Sequence, residues 1–291
     1  MKKFILILIT LIFISCKDDY RQSNLCGNEN RYTGEFTVLT LNRLDGTSLN
    51  SVIRLIQDLN PDIIGLQESY GVGLDVASSL DYCYYGSDDS STAFLSKYEI
   101  EVLSDDYSRI HFDNEKTLNF FNVHFTAYPY QPYEIRDGNI TSVWEIEHQA
   151  EETRRDEFES ILMEMSDIIK DEEILLVGDF NEPSHLDWTF NAAEQGLNFG
   201  LEINWPISNS LQSIGLTDAY RQFYSNEIDF PGHTWTTIES DDEVHDRIDY
   251  IYYSGQMDLI DISIVGPDHL SDLVIDYYES DHRAIFAKFK F

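Results

Sequence analysis

Residues 174–181 read ILLVGDFN, an apolar β-like run that ends in Gly178, Asp179, Phe180 and Asn181. Alternate side chains of an extended chain point the same way, so Asp179 and Asn181 can face one object. Gly178, without a Cβ, lets the backbone approach a neighbour closely. Five other runs end the same way. VLTLN closes on Asn42, DIIGLQE on Glu68, and FFNVHF carries His124. RIDYIYY carries Asp249, and Asp281–His282 opens the last run in ESDHRAIFAKF. Buried strands that end in carboxylates, amides and imidazoles can bring them together. That residue mix suits a divalent metal and a phosphate, because Mg²⁺ takes a few hard oxygens together with substrate phosphate.

Between these runs lie helical patterns. Residues 48–59 place Leu49, Val52, Ile53, Ile56 and Leu59 on one face, and Pro61 stops the helix. A long helix is expected over 142–170, its second half facing the core with Phe158, Ile161, Leu162, Met165 and Ile168. Strands are expected at 36–41, 62–67, 93–95, 99–103, 118–125, 173–177, 234–237, 247–253 and 284–289. A short helix is expected at 209–214. Residues 128–139, rich in Tyr and Pro, read as a loop. Strands interleaved with helices give an α/β class.

The order and wording of the tags resemble the endonuclease/exonuclease/phosphatase superfamily, the DNase I-like metallophosphoesterases, over nearly all of the chain after its leader. The resemblance implies a two-sheet sandwich of mixed β-sheets flanked by helices, four layers deep, with the site at one end. It implies that Asn42, Glu68 and Asp281 hold Mg²⁺ or Mn²⁺. Asp179, positioned by Asn181, would activate a water. His124 and His282 would meet the scissile phosphate, and Asp249 would orient His282. The reaction implied is hydrolysis of a phosphate ester by in-line attack. A carboxylate on an imidazole fixes the tautomer and raises its basicity.

Around this set, Tyr128, Tyr130, Tyr133 and Arg136 are candidates for the substrate mouth. Arg247 is a candidate phosphate contact or the partner of an acid. His233, Trp235, His245 and Asp246 precede Asp249 and are candidates for the border of the site, with His245 reading better as a polar loop residue, while His111, His148, His185 and His269 read as surface or helix residues. No GxSxG is present, and the Asp and His tags do not gather round a serine, which speaks against an esterase.

The formal net charge is −34. Affinity for polyanions comes largely from Lys and Arg on phosphate, so tight nucleic-acid binding is not expected. A bound cation dominates the local field of a metal site, so phosphate chemistry is compatible with this charge. A phosphodiesterase acting on a lipid headgroup or small organic phosphate, a secreted nuclease, and a catalytically silent binding lipoprotein all remain open. With 18 Tyr and 17 Phe there is apolar mass for one large domain, expected as a monomer.

Residues 1–16, MKKFILILITLIFISC, carry two lysines, an apolar run shorter than the roughly 20 residues of a spanning helix, and Cys16 after the small Ser15. This resembles a bacterial lipobox, with Phe13 where Leu is usual. Lys17-Asp18-Asp19 resembles the acidic tag that takes some Bacteroidetes lipoproteins to the cell surface. The expected organisation is a signal peptide over 1–16 with lipidation at Cys16, a tether over 17–33, and the catalytic domain over 34–291. The product would be exported and anchored by lipid in the outer membrane. Cys26 and Cys83 have no spacing that requires them to pair, and no CxxC suggests structural zinc.

Overall fold

The computed structural model describes residues 21–23, 32–113, 115–240 and 242–291. Cys16, the rest of the expected signal peptide, and Cys26 lie outside the described residues. In chain order the strands are β1 (Arg21–Ser23), β2 (Glu35–Asn42), β3 (Ile63–Gln67), β4 (Cys83–Gly86), β5 (Ala93–Ser96), β6 (Glu99–Val102) and β7 (Tyr107–His111). They continue with β8 (Thr117–His124), β9 (Ile174–Asp179), β10 (Thr217–Asp218), β11 (Asp249–Ser254), β12 (Asp258–Gly266), β13 (Leu273–Val274) and β14 (Ala284–Lys290). The helices are α1 (Leu49–Leu59), α2 (Val72–Leu80), α3 (Gln131–Arg136), α4 (Val143–Met165), α5 (Phe190–Glu194), α6 (Pro206–Ser213) and α7 (Ala219–Phe223).

One sheet runs β1-β4-β5-β3-β2-β14-β12-β13 and the other β10-β11-β9-β8-β7-β6. Both are mixed: β2 and β3 are parallel in the first, β8 and β9 in the second. The period of two in the strands sorts their side chains into layers. Phe36 and Val38 of β2, Leu118 and Phe120 of β8, Leu175 and Val177 of β9, and Ile251 of β11 form the core between the sheets. The alternate residues face outward. Leu39 and Leu41 pack with Val52, Leu55 and Ile56 of α1 and Val76 of α2. Phe121, Val123, Leu176 and Tyr250 pack with Phe158, Ile161 and Met165 of α4 and Leu211 of α6. Burying each large α4 side chain contributes about 2 kcal/mol. Helix, sheet, sheet and helix make the four layers expected of the sandwich.

Two features fix how the sheets meet. At Gly65 an added Cβ would fall 2.5 Å from Val177 Cγ2 and 2.8 Å from Asn122 Oδ1. Beside it lies a polar plug in an otherwise apolar layer. Gln67 Nε2 donates to Asn122 Oδ1 (2.6 Å) and to Thr40 Oγ1 (3.1 Å), while Asn122 Nδ2 donates to the carbonyls of Leu66 (3.2 Å) and Ala93 (3.0 Å). All three side chains are buried, so their hydrogen bonds replace those lost to water.

Several expectations are corrected. Residues 234–237 form no strand; Trp235 makes isolated bridges to Asp246 and His282. The loop over 128–139 contains α3, whose proline sits in the first turn, where its missing N–H costs nothing. The helix expected over 142–170 ends at Met165. The tether over 17–33 is partly structured: Arg21–Ser23 pair with β4 at the sheet edge, and Tyr32 packs on Phe112 with ring centroids 4.8 Å apart. Strand β12 escaped the sequence reading because a bulge between Leu259 and Asp261 breaks its alternation. Cys83 is disulfide-bonded.

Replacing Asn122 by leucine removes the shortest hydrogen bond of Gln67 and the side-chain bonds to two buried carbonyls. The expected loss is about 3 kcal/mol, read from the urea midpoint at unchanged slope. A loss under about 1 kcal/mol would mean that the plug does not hold the sheets.

Candidate active site

The second sheet lines up three functional side chains at one level. In the parallel pairing of β8 with β9, His124 is opposite Asp179, and in the antiparallel pairing of β11 with β9, Asp249 is opposite the same residue. Gly178 permits this approach. Its φ is +139°, and a Cβ there would lie 2.0 Å from the carbonyl oxygen of Val123. The first sheet contributes Asn42 from the end of β2 and Glu68 just past β3. The loop before β14 brings Asp281 and His282. Together Asn42, Glu68, His124, Asp179, Asn181, Asp281 and His282 line one cleft of about 210 Å³.

Asp179 is at its centre. Its Oδ1 accepts from the backbone N–H of Asn181 (2.9 Å), and its Oδ2 accepts from Asn42 Nδ2 (3.0 Å). The Nε2 atoms of His124 and His282 lie 3.6 and 3.7 Å from Asp179 Oδ2. His282 Nδ1 sits 2.9 Å from Asp249 Oδ2, which leaves Nε2 turned to the cleft. Burial opposes charge on the His282 ring, but the Asp249 and Asp179 carboxylates outweigh it and push its pKa up to about 10. Asn181 donates from its side chain to Phe125 O (3.0 Å), tying the Asp179 turn to the loop after His124.

Glu68 and Asp281 form the acidic side. Glu68 takes a left-handed conformation (φ 52°), and so does Asn181 (φ 50°). Residues other than glycine rarely sit there. Glu68 is held by Arg43, whose Nε donates to the Glu68 carbonyl (2.9 Å), and by the Asp45 N–H on Oε2 (2.5 Å). Burial, aided by the like charge of Glu68 and opposed by His282, raises the Asp281 pKa. Its Oδ1 is buried with no hydrogen-bond partner. Two facing carboxylates, one with an orphaned oxygen, are the hard-oxygen donor set that Mg²⁺ or Mn²⁺ takes. Asp179, Asp249 and His282 also offer ligand atoms within 4.8 Å of one another, though the Asp249–His282 hydrogen bond already uses two of them.

Three expected roles change. Asn42 Oδ1 accepts from Leu44 N (3.1 Å) while its NH₂ faces Glu68 (3.3 Å) and Asp179, so it donates to carboxylates instead of offering an oxygen to a cation. Arg247 is buried away from this cleft, in ion pairs with Asp187 (2.9 Å) and Asp218 (2.7 Å), and is no substrate contact. Tyr130 lines the cleft, but its hydroxyl is committed to Asp246 Oδ2 (2.7 Å). Tyr128, 67% exposed, lines the mouth of the cleft. His233 and His245 belong to a neighbouring cleft.

Sequence reasoning missed the supports. Ser280 Oγ donates to Asn42 O (2.6 Å) and accepts from His282 N (3.1 Å), which joins the last loop to β2. Thr234 Oγ1 accepts from the N–H groups of Ile248 and Asp249, both at 3.0 Å. Arg154 of α4 is buried behind the Asp179 turn, donating to Gln131 Oε1 (2.9 Å) and lying 3.8 Å from Glu182. Nothing in a hydroxyl or a helical arginine distinguishes these roles before the fold is known.

The model of the Endonuclease/Exonuclease/phosphatase family matches residues 24–282. An uncharacterized protein of Caenorhabditis elegans, F14F9.5, is 25% identical over 262 residues, covering 80% of this chain and 82% of that protein. Among solved structures, truncated C. elegans TDP2 is similar with a TM-score of 0.56 at 20% identity, over 88% of this chain and 98% of that one. The 3′ phosphatase NExo from Neisseria, bound to a product DNA hairpin, gives 0.55 at 16% identity, over 88% and 100%. At these identities the likeness to the solved structures is one of fold.

Buried Asp246 gives a pH signature. Burial pushes its pKa up to about 6, outweighing the hydrogen bonds from Tyr130 and Trp188. A carboxyl raised in the folded state contributes stability below its unfolded pKa of about 3.9 and loses it as pH rises through the folded value. The stability of the wild type relative to Asp246→Asn should therefore fall between pH 4 and pH 7. Melting temperatures of the two proteins across that range check this, and a constant difference would refute it.

Proposed function

The chain belongs to the endonuclease/exonuclease/phosphatase family, and from that premise we propose that it is a divalent-metal-dependent phosphodiesterase, exported and lipid-anchored. The observation that carries the reading is the convergence of Glu68, Asp179, Asp281 and both histidines on one cleft, contributed by both sheets. Glu68 and Asp281 would hold Mg²⁺ or Mn²⁺. Bound there, the ion supplies neutralisation of charge on the phosphoryl oxygens and on the leaving oxygen.

The chain's own groups do the rest. Asp179 accepts the proton of the attacking water at Oδ2, its other oxygen being fixed by the Asn181 N–H. His124 and His282 present Nε2 to the non-bridging oxygens as negative charge grows on them. Asp249 orients the His282 ring and supports its charge. Attack is in line with the leaving oxygen, and no covalent enzyme intermediate is needed. The short leader and Cys16 support export as a lipoprotein.

The purified protein should hydrolyse bis-p-nitrophenyl phosphate with Mg²⁺ or Mn²⁺ and stop in EDTA. Asp179→Asn should lower kcat about 1000-fold without lowering the melting temperature. Turnover that survives EDTA, or a variant as active as the wild type, would remove the proposal. For the anchor, cells fed labelled palmitate should label the wild type and leave Cys16→Ala unlabelled; an unlabelled wild type would count against lipidation.

A further inference from the structure

The chain enters the first sheet at its functional end. Strand β1 runs antiparallel to β4, with Arg21 opposite Gly86. Gly86 is opposite Ala93 of β5, and Ala93 is opposite Leu66 of β3. Arg21 is therefore level with Leu66, just before Glu68, and three strand spacings to the side, about 14 Å. Ser23, opposite Tyr84, lies further from that end, so the chain before Arg21 leaves the sheet on the cleft side. Side chains and backbone hold this entry. Arg21 pairs with Asp88 (2.5 Å) in the loop between β4 and β5. The same loop accepts from the residues that follow Glu68: Ser69 N donates to Ser91 O (2.8 Å) and Tyr70 N to Ser90 O (3.0 Å). Cys16, the lipidation site of the proposed function, comes five residues before Arg21. Five residues reach about 17 Å when fully extended. The far end of the sandwich, where Gln256 joins β11 to β12, lies the length of a strand away, about 25 Å, and a bilayer placed there is beyond that reach.

What faces outward at the cleft end suits such an interface. Tyr70, Tyr128, Ile238 and Val274 are all exposed there. Tyr70 follows Glu68, and Tyr128 lines the cleft. Ile238 follows Thr237, whose N–H donates to Asp281 O (2.8 Å). Val274, at the other edge of the sheet, is opposite Gly266, the last residue of β12. Tyrosine joins an apolar ring to a polar tip and favours the boundary between bilayer and water. Charge selects the kind of lipid. Asp45, Asp89, Glu239 and Asp242 are exposed at this end. The cations around the mouth are already taken: Arg21 by Asp88, Arg43 by Asp45 (3.1 Å), Arg136 by Asp137 (2.7 Å), and His124 and His282 by Asp179 (3.6 and 3.7 Å). Anionic lipid is therefore repelled, and a zwitterionic surface is not.

We propose that the cleft end of the sandwich is a membrane-facing surface. The acyl chains on Cys16 hold it against the bilayer in which they are inserted, and its partner is a zwitterionic lipid surface met by Tyr70, Tyr128 and Ile238. This rests on the lipoprotein reading and adds to it which face of the domain meets the membrane. The anchor then orients the cleft as well as retaining the protein.

The test uses the full lipidated chain in phosphatidylcholine vesicles. Photoreactive p-benzoylphenylalanine replaces Tyr70, Ile238 or, at the far end, the exposed Gln256. Lipid adducts from the first two positions should exceed those from the third about tenfold, because the far end stands a strand length further from the lipid. Equal yields, or the highest yield at Gln256, would overturn the proposal. A Gly/Ser insert of about 20 residues between Asp19 and Tyr20 gives the tether slack comparable to the length of the sandwich. It should lower the yields at Tyr70 and Ile238 several-fold, and undiminished yields would show that the tether does not set the orientation. Vesicles containing phosphatidylglycerol should give fewer adducts at both positions; more adducts would refute the zwitterionic preference. A wild type that takes up no palmitate would remove the lipoprotein reading and this proposal together. Palmitate uptake with equal adducts at both ends would remove this proposal alone.

Discussion

The pairing of β9 with its two neighbours is the constraint on which the site depends. Asp179 sits opposite His124 on one side and opposite Asp249 on the other, so three strands deliver three functional groups at one height. A slip of one residue would turn every side chain of the strand to the other face. The apolar alternation prevents it, because Leu175 and Val177 must face the inner core while Ile174 and Leu176 face the α4 layer. The geometry of the candidate site and the packing of the core are thus set by the same register. Gly178 is the point where the two demands meet, since the backbone of β8 passes where a Cβ would be.

The second sheet end has to be brought to the first, and that is done with polar contacts. Ser280 fastens the last loop to β2, and Asn42 reaches across from β2 to Asp179. Trp235, bridged to both Asp246 and His282, carries the β11 side to the same loop. Acids accumulate where these pieces meet. Asp281 keeps an oxygen without a partner there, and its pKa is raised. Bringing such like charges together is costly, and a divalent cation would relieve it. Affinity for such an ion and local stability would therefore be linked.

Most of the layer architecture was legible in the sequence, because period-two strands and a period-3.6 helix leave strong patterns. The strand-end groups were legible too, since a polar residue closing an apolar run stands out. What could not be read was direction and partnership. Arg247 looks the same in sequence whether it meets phosphate or the Asp187–Asp218 pair, and only the fold puts it beside the acids. Asn42 could face the cleft with its oxygen or its NH₂, and Leu44 N decides which. Trp235 was read as part of a strand, although it makes isolated bridges to Asp246 and His282 in place of a ladder. Supports such as Ser280, Thr234 and Arg43 are common residues whose roles exist only through partners far along the chain.

The plug of Thr40, Gln67 and Asn122 separates what can change in this scaffold from what cannot. It sits between the sheets just behind the cleft, so the distance from Glu68 to Asp179 is set by amides whose every bond is internal. The mouth is built otherwise: Tyr128 and Trp235 come from segments outside the strands and touch the plug nowhere in these bonds. Lineages descending from such a molecule can exchange mouth residues, and with them substrates, while the reacting groups keep their spacing. Drift in preference and permanence of chemistry then follow from one buried cluster of amides.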